Sequence, residues 1–156
     1  MNALQTRSES VIRAAIVDAP GAEPRLGSVV LPPRTTGATL VAVTAAPLNP
    51  LDLLIASGTF HSARHEDPYV PGTECAGVVL DSDRYPVGSL VYAECHPSPT
   101  TPGSFATRAI IADEDLLPLP DGLDPGLAAA VGNSGTAAFM PLIEMAGFSA
   151  MFQGTV

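Results

Sequence analysis

The sequence contains no lysine and no tryptophan, and its 16 acidic residues outnumber its seven arginines. The resulting formal net charge of −9 opposes binding to nucleic acid, because that association depends on cationic side chains that displace counterions from phosphates. The same repulsion disfavours anionic membrane surfaces. We therefore expect neither nucleic acid nor membrane among the partners.

Cysteines and long apolar runs are also scarce. The two cysteines, Cys75 and Cys95, do not resemble the disulfide framework of a secreted domain, which favours two free thiols, although one disulfide stays an alternative. No stretch approaches the roughly 20 consecutive apolar residues of a membrane span, and residues 1–10 are polar, without the apolar centre of a signal peptide. We therefore expect a cytoplasmic protein.

What the chain does contain is typical of one turn-rich β domain. Hydrophobic residues make up 46% of 156, and the 14 glycines and 16 prolines are scattered between short apolar runs. After a loose tail at residues 1–10, strands are predicted at residues 11–19, 26–31, 39–45, 73–80, 89–94, 105–112 and 116–119. A short helix is predicted at residues 51–57, because Asn49-Pro50 is a typical helix start.

The last part of the chain is predicted to be helical. Asp124 is a suitable N-cap and is followed by Pro125, so a first helix is expected over residues 127–131. The sequence Gly-Asn-Ser-Gly at 132–135 predicts an interruption, and a second helix is expected over residues 136–146. The predicted organisation is a β domain at 11–123 followed by a helical segment at 124–156.

The stretch 69–79 joins a turn at Pro71-Gly72 to an apolar strand, with Glu74 near the start of that strand. A carboxylate in this place is either solvated or held by a positively charged partner such as Arg108.

Metal and nucleophile sites are not indicated by residue spacing. The soft ligands available are His61, His65, His96, Cys75 and Cys95, and no pair among them has zinc-finger spacing. The sequence also contains neither the Gly-x-Ser-x-Gly elbow of hydrolases nor the Gly-x-Gly-x-x-Gly turn that binds dinucleotides. The residues therefore predict no metal.

Several motifs nevertheless occur in a diagnostic order. They are Ala-Pro-Leu-Asn-Pro-Leu-Asp at 46–52, Ser-Gly at 57–58, Val-Pro-Gly-Thr-Glu-Cys-Ala-Gly-Val-Val at 70–79, Gly-Ser-Leu-Val at 88–91, Gly-Ser-Phe-Ala at 103–106, Leu-Pro-Asp-Gly-Leu at 119–123 and Gly-Thr-Ala at 135–137. Over residues 11–156 the chain resembles the N-terminal half of medium-chain dehydrogenases/reductases, and within them the zinc-independent quinone oxidoreductases.

The resemblance implies a fold, a cofactor and a set of site residues. The fold would be a mainly β, GroES-like, partly open barrel with two C-terminal helices. Zinc-containing relatives carry Cys where Asn49 stands and His where Thr73 stands, so no zinc is expected. Asn49 would lie at the nicotinamide and substrate pocket, Thr136 would approach the nicotinamide of NADP(H), and Asp52 would lie near the cleft. Asn49, Asp52 and Glu74 are the candidate catalytic residues, and Asn49 and Thr136 the candidate cofactor-binding residues.

Structural interpretations of the same residues stay open: Asn49 and Thr136 as helix caps, and Glu74 as an anchor for its strand. In the family a Rossmann domain follows the matched residues, and the present sequence ends where its first strand would begin, so we expect weak or no NADPH binding by this chain alone. The leading hypothesis is the catalytic domain of an NADPH-dependent oxidoreductase that binds a small carbonyl, enone or quinone in an apolar cleft. The alternatives are a cofactor-independent cyclase or isomerase, or a non-catalytic module for binding or for homodimerisation.

Overall fold

The computed structural model describes residues 10–60 and 68–145. Within these residues the strands are β1 (Val11–Ile16), β2 (Arg25–Val30), β3 (Ala38–Ala45), β4 (Glu74–Asp81), β5 (Leu90–Glu94), β6 (Arg108–Ala112) and β7 (Leu116–Pro118). The helices are α1 (Pro50–Ala56) and α2 (Pro125–Met140), with a 3₁₀ turn at Asp113–Asp115 and a π-helical turn at Pro141–Met145. Every predicted strand is confirmed within a few residues at its ends. His61, His65 and the predicted tail at residues 1–9 lie outside the described residues.

The strands form two antiparallel sheets. β1 and β2 form a hairpin, and the other five strands form a sheet in the order β6-β3-β4-β5-β7. Bridges between Ala14 and Ala106 and between Val17 and Tyr69 attach the hairpin to the rest of the domain. The larger sheet does not close on itself, which confirms the prediction of a mainly β, partly open GroES-like fold.

The main core lies on one face of the five-stranded sheet. Its members are Val41, Cys75, Val79, Val91, Ala93, Cys95, Ala109, Ile111 and Leu116. Both cysteines are buried as free thiols, as predicted, and a hydrogen bond with Cys75 together with burial raises the pKa of the Cys95 thiol. Because only a thiolate is a good nucleophile, the raised pKa makes the Cys95 thiol a poor nucleophile.

The predicted turn at Pro71-Gly72 fixes where β4 enters the interior. Gly72 has φ of +107°, and a Cβ at this position would lie 2.7 Å from the backbone nitrogen of Phe105. Only glycine satisfies both conditions. The segment that crowds it is held by hydrogen bonds from Gly103 N to Val70 O at 2.9 Å and from Phe105 N to Pro71 O at 3.0 Å. The turn thereby places Glu74 at the first position of the strand.

The predicted interruption at residues 132–135 is wrong. α2 runs unbroken from Pro125 to Met140, and the boundary between the two C-terminal helical segments lies at Pro141, where the π-helical turn begins. A glycine in a helix costs only about 1 kcal/mol relative to alanine, which packing of the helix against the sheet can offset. The predicted start is confirmed, since Asp124 Oδ1 accepts a hydrogen bond from Leu127 N at 2.8 Å.

The helical stretch Pro125–Ile143 is long and apolar enough to cross a membrane, by length and composition only. This finding differs from the expectation that no stretch approaches a membrane span. A single such helix is weak evidence for a membrane-spanning segment, because core helices of globular proteins pass the same test of length and composition.

Candidate functional site

Glu74 is the centre of a buried polar network. The residue is only 2% exposed, so of the two alternatives left open by the sequence, the solvated carboxylate is excluded. Oε1 accepts a hydrogen bond from Asn49 Nδ2, and Oε2 accepts from Tyr92 Oη and, at 2.9 Å, from Asn133 N. These three donors are all uncharged, rather than the positively charged partner considered from the sequence. A buried carboxylate needs such donors, because it has lost its hydration.

Asn49 reaches this network from the start of α1. It occupies the position before Pro50, whose fixed φ suits the first helical residue, and it is 5% exposed. Its side-chain amide donates to Glu74, so the side chain connects the helix start with β4. The residue is therefore part of a buried polar site as well as the helix cap position.

Asp52 joins α1 to the residue just before β4. It is 3% exposed, and Oδ2 accepts a hydrogen bond from Asn49 N at 2.8 Å. Oδ1 accepts from both the backbone nitrogen and the hydroxyl of Thr73, each at 3.0 Å. The carboxylate therefore satisfies two backbone donors and positions the neighbours of Glu74.

Tyr92 is the residue of this network that sequence reasoning missed. It lies on β5, where it pairs with Ala76 of β4, and its hydroxyl donates to Glu74. Burial, followed by the hydrogen bond to Glu74, raises the pKa of Tyr92. The alternation of β5 indicates which residues share a face, but no sequence signal relates Tyr92 to a carboxylate 18 positions earlier.

α2 approaches the network most closely at Gly132. A Cβ on this residue would collide with the Tyr92 ring and with Glu74 Oε2, so only glycine permits the approach. The next residue, Asn133, donates its backbone N–H to Glu74. The glycine-rich sequence predicted to interrupt the helix is therefore the contact between the helix and the polar network.

An apolar cleft of about 1020 Å³ lies between α2 and the sheet. Its apolar lining includes Leu51, Leu117, Leu119, Leu123, Leu127, Val131, Phe139 and Met140, and its polar lining consists of Thr73, Glu74, Tyr92, Glu94, Asn133 and Thr136. A concave, mostly apolar cavity with a few convergent polar groups is the usual form of a small-molecule site.

The predicted site residues take different places around this cleft. Glu74 and Thr136 line it, whereas Asn49 and Asp52 are buried and do not belong to its lining. Thr136 lies along α2 rather than at its start, so the prediction of a helix cap is wrong, and its hydroxyl donates to Gly132 O at 2.9 Å. The structure thus joins Asn49, Asp52 and Glu74 in one network, and their catalytic and cofactor-binding roles stay predictions.

The donor groups at the two zinc-ligand positions do not fit a zinc ion. Asn49 and Thr73 supply an amide and a hydroxyl, whereas zinc in proteins prefers thiolate, imidazole and carboxylate. Within residues 10–60 and 68–145, no group of three or more His, Cys, Asp or Glu side chains could hold a metal ion. His96 is exposed, with Nε2 3.5 Å from Asp115 Oδ2.

The cleft fits one part of NADP(H) and not another. Its apolar walls and the exposed Asn133 suit an uncharged ring with an amide, such as the dihydronicotinamide of NADPH. Phosphates do not fit, because the described lining contains two carboxylates, Glu74 and Glu94, and no arginine.

Comparison with known proteins gives the family. The sequence profile of the alcohol dehydrogenase GroES-like domain matches residues 35–121, more than half of the chain. The human quinone oxidoreductase is 33% identical over 111 residues, which cover 69% of this chain and 32% of that protein. A zinc-type alcohol dehydrogenase-like protein of Schizosaccharomyces pombe is 32% identical over 117 residues, which cover 74% and 35%.

Solved structures agree with this assignment. The quinone oxidoreductase of Thermus thermophilus, solved also in complex with NADPH, matches with a TM-score of 0.69 and 31% identity over 83% of this chain and 40% of that one. A probable oxidoreductase from Mycobacterium abscessus matches with a TM-score of 0.76 and 25% identity, over 86% and 43%. The chain spans about a third of the length of the curated relatives it matches. It belongs to the alcohol dehydrogenase GroES-like domain family, as an N-terminal domain of the medium-chain dehydrogenase/reductase type.

Proposed function

We propose that this chain is the catalytic, substrate-binding domain of a zinc-independent, NADPH-dependent oxidoreductase that acts on a small carbonyl, enone or quinone. The observation that carries the proposal is the apolar cleft whose lining includes the hydrogen-bonded pair Glu74 and Tyr92. The quinone oxidoreductases among the relatives, including the one solved with NADPH, support the reaction class.

The composition of the cleft suits this chemistry. Hydride transfer depends on positioning the nicotinamide against the acceptor and on polarising the acceptor oxygen more than on an ionisable nucleophile. The leucines, Phe139 and Met140 provide apolar walls for a ligand, and hydrogen bonds join Asn49, Glu74 and Tyr92 at the polar part of the cleft. Thr136 is proposed to contact the nicotinamide, because it lines the same cleft.

The lining also supports the expectation that this chain alone binds NADPH weakly. Two carboxylates face the space that the cofactor would enter, and they would repel its phosphates. The uncharged dihydronicotinamide of NADPH matches the described lining better than its phosphates do.

The experiment is an NMR titration of the isotope-labelled chain with cyclohexenone and, separately, with NADPH. We expect cyclohexenone to shift the signals of cleft residues such as Leu119, Tyr92 and Thr136, and NADPH to give small shifts that do not saturate. Shifts confined to residues outside the cleft would contradict the proposed substrate site. Micromolar affinity for NADPH would overturn the expectation of weak cofactor binding while leaving the site itself intact.

A second candidate function is a binding or dimerisation module. The observation that favours it is the exposure of apolar side chains on α2, with Leu127 55%, Val131 52% and Phe139 56% exposed. Exposed apolar patches are typical of surfaces that associate with a partner. Light scattering would test this candidate, since a homodimer predicts twice the chain mass and a stable monomer at high concentration argues against it.

A further inference from the structure

Three hydroxyl groups line the cleft, and each donates its proton to a fixed acceptor inside the protein. Thr73 Oγ1 donates to Asp52 Oδ1 at 3.0 Å, and Tyr92 Oη donates to Glu74 Oε2. Thr136 Oγ1 donates to the backbone oxygen of Gly132 at 2.9 Å. The three hydroxyls stand on different elements, so the pattern extends over the whole polar lining.

The hydroxyls therefore offer only lone pairs to a molecule in the cleft. A hydroxyl carries one proton and two acceptor positions, and the carboxylate oxygens of Glu74 and Glu94 are hydrogen-bond acceptors. The remaining side chains of the described lining are hydrocarbon or thioether, apart from the exposed amide of Asn133. The polar part of the cleft is thus rich in acceptors and poor in donors.

Two of the three hydroxyl protons take part in strong hydrogen bonds within the protein. The acceptors of Thr73 and Tyr92 are carboxylates that are 3% and 2% exposed, so hydrogen bonds to them are assisted by charge and shielded from water. A ligand carbonyl that took the proton of Tyr92 would leave the buried Glu74 short of one donor. That loss is costly, because water cannot replace the donor there.

We propose that the cleft selects ligands that carry a hydrogen-bond-donating hydroxyl on an apolar body, in preference to the carbonyl compound of the same shape. The oxygen of the partly exposed Tyr92 and the exposed carboxylate of Glu94 are the acceptors that the ligand hydroxyl meets. This inference rests on the proposed use of the cleft as the substrate pocket. For a carbonyl or quinone substrate, it specifies that the reduced, hydroxyl-bearing partner of the reaction is held more tightly than the carbonyl partner.

The test compares matched ligands by NMR titration of the labelled chain. The probes are 1-phenylethanol against acetophenone, and phenol against anisole. One net hydrogen bond corresponds to a roughly threefold to tenfold difference in Kd, so we expect each hydroxyl compound to bind tighter by about that factor. Benzoate, similar in size but anionic, should bind most weakly.

A pair of variants tests whether the scarcity of hydrogen-bond donors in the lining determines this preference for hydroxyl compounds. Val131 lines the cleft, lies on the exposed surface of α2 and tolerates a longer side chain. Val131→Lys adds a group that only donates hydrogen bonds, so it should shift the ratio of the affinities for 1-phenylethanol and acetophenone toward acetophenone. Val131→Met, of comparable length, should leave this ratio unchanged.

The outcomes separate this inference from the proposed function. Equal or tighter binding of acetophenone and anisole to the native chain would overturn the inference and leave the substrate site standing. If neither member of a pair shifts the cleft residues, both the substrate site and the inference fall. An unchanged ratio in Val131→Lys would also contradict the reasoning, provided that its signals show a folded domain.

Discussion

Gly132→Ala should destabilise the domain, although alanine is the better helix former. Gly132 is where α2 touches the polar network, and an added Cβ would lie 2.5 Å from Tyr92 Cζ and closer still to Tyr92 Cε2 and Glu74 Oε2. Neither group can move aside easily, because Tyr92 and Glu74 are joined by their own hydrogen bond. The helix must therefore lift away from the sheet.

One stabilising and two destabilising contributions to the free energy of unfolding set the size of the effect. Replacing glycine by alanine in a helix gains about 1 kcal/mol. Overpacking a filled contact costs about 1 to 3 kcal/mol. Lifting the helix also breaks the hydrogen bond from Asn133 N to the Glu74 carboxylate, and bonds to charged groups contribute about 1.5 to 3 kcal/mol. The expected net loss in the free energy of unfolding is about 1.5 to 5 kcal/mol.

Urea unfolding followed by circular dichroism measures this loss, and Gly135→Ala is the matched control. A Cβ at Gly135 would come within 3 Å of a single atom, Cγ1 of Val131 at 2.7 Å, and that exposed side chain can rotate away. The control should therefore be neutral or more stable by up to about 1 kcal/mol. If Gly132→Ala is as stable as the control, the contact between helix and network does not constrain residue 132 and the reasoning fails.

Asp52→Ala should lower the free energy of unfolding in the same assay by about 2 to 4 kcal/mol, because two backbone donors lose their acceptor, and an unchanged midpoint would contradict this. The pKa of Tyr92 is raised in the folded state above its ordinary value of 10.0. The contribution of Tyr92 to stability is therefore complete below pH 10 and declines as the pH rises beyond that value. Tyr92→Phe should lack this alkaline decline. A hydrogen bond from Arg34 lowers the pKa of Asp83 below its ordinary 3.8, so the pair stabilises the fold above that pH and loses its effect as the pH falls through the lowered pKa. Arg34→Gln should therefore reduce stability at neutral pH and flatten the acid limb of a pH titration of unfolding, and an unaltered titration would refute the assignment.

The sequence alone determined the order and type of the structural elements. Turn residues and alternating apolar residues are local signals, so seven strands, the start of α1 and the Asp124 cap of α2 could be placed without coordinates. The glycine at 72 was also readable, since Pro-Gly before an apolar strand is a turn signal. The ordered motifs were sufficient for the family, because they depend on spacing along the chain.

Only the tertiary structure decided how the polar residues are used. Glu74 is 25 positions from Asn49, 18 from Tyr92 and 59 from Asn133, and no local rule relates residues at such separations. The same long-range contact explains the error at Gly132, since its packing against Tyr92 outweighs the weak helix propensity that predicted an interruption. The sequence supplies the carboxylate, the tyrosine and the glycine, and the pairing of β4 with β5 beneath α2 turns them into one site.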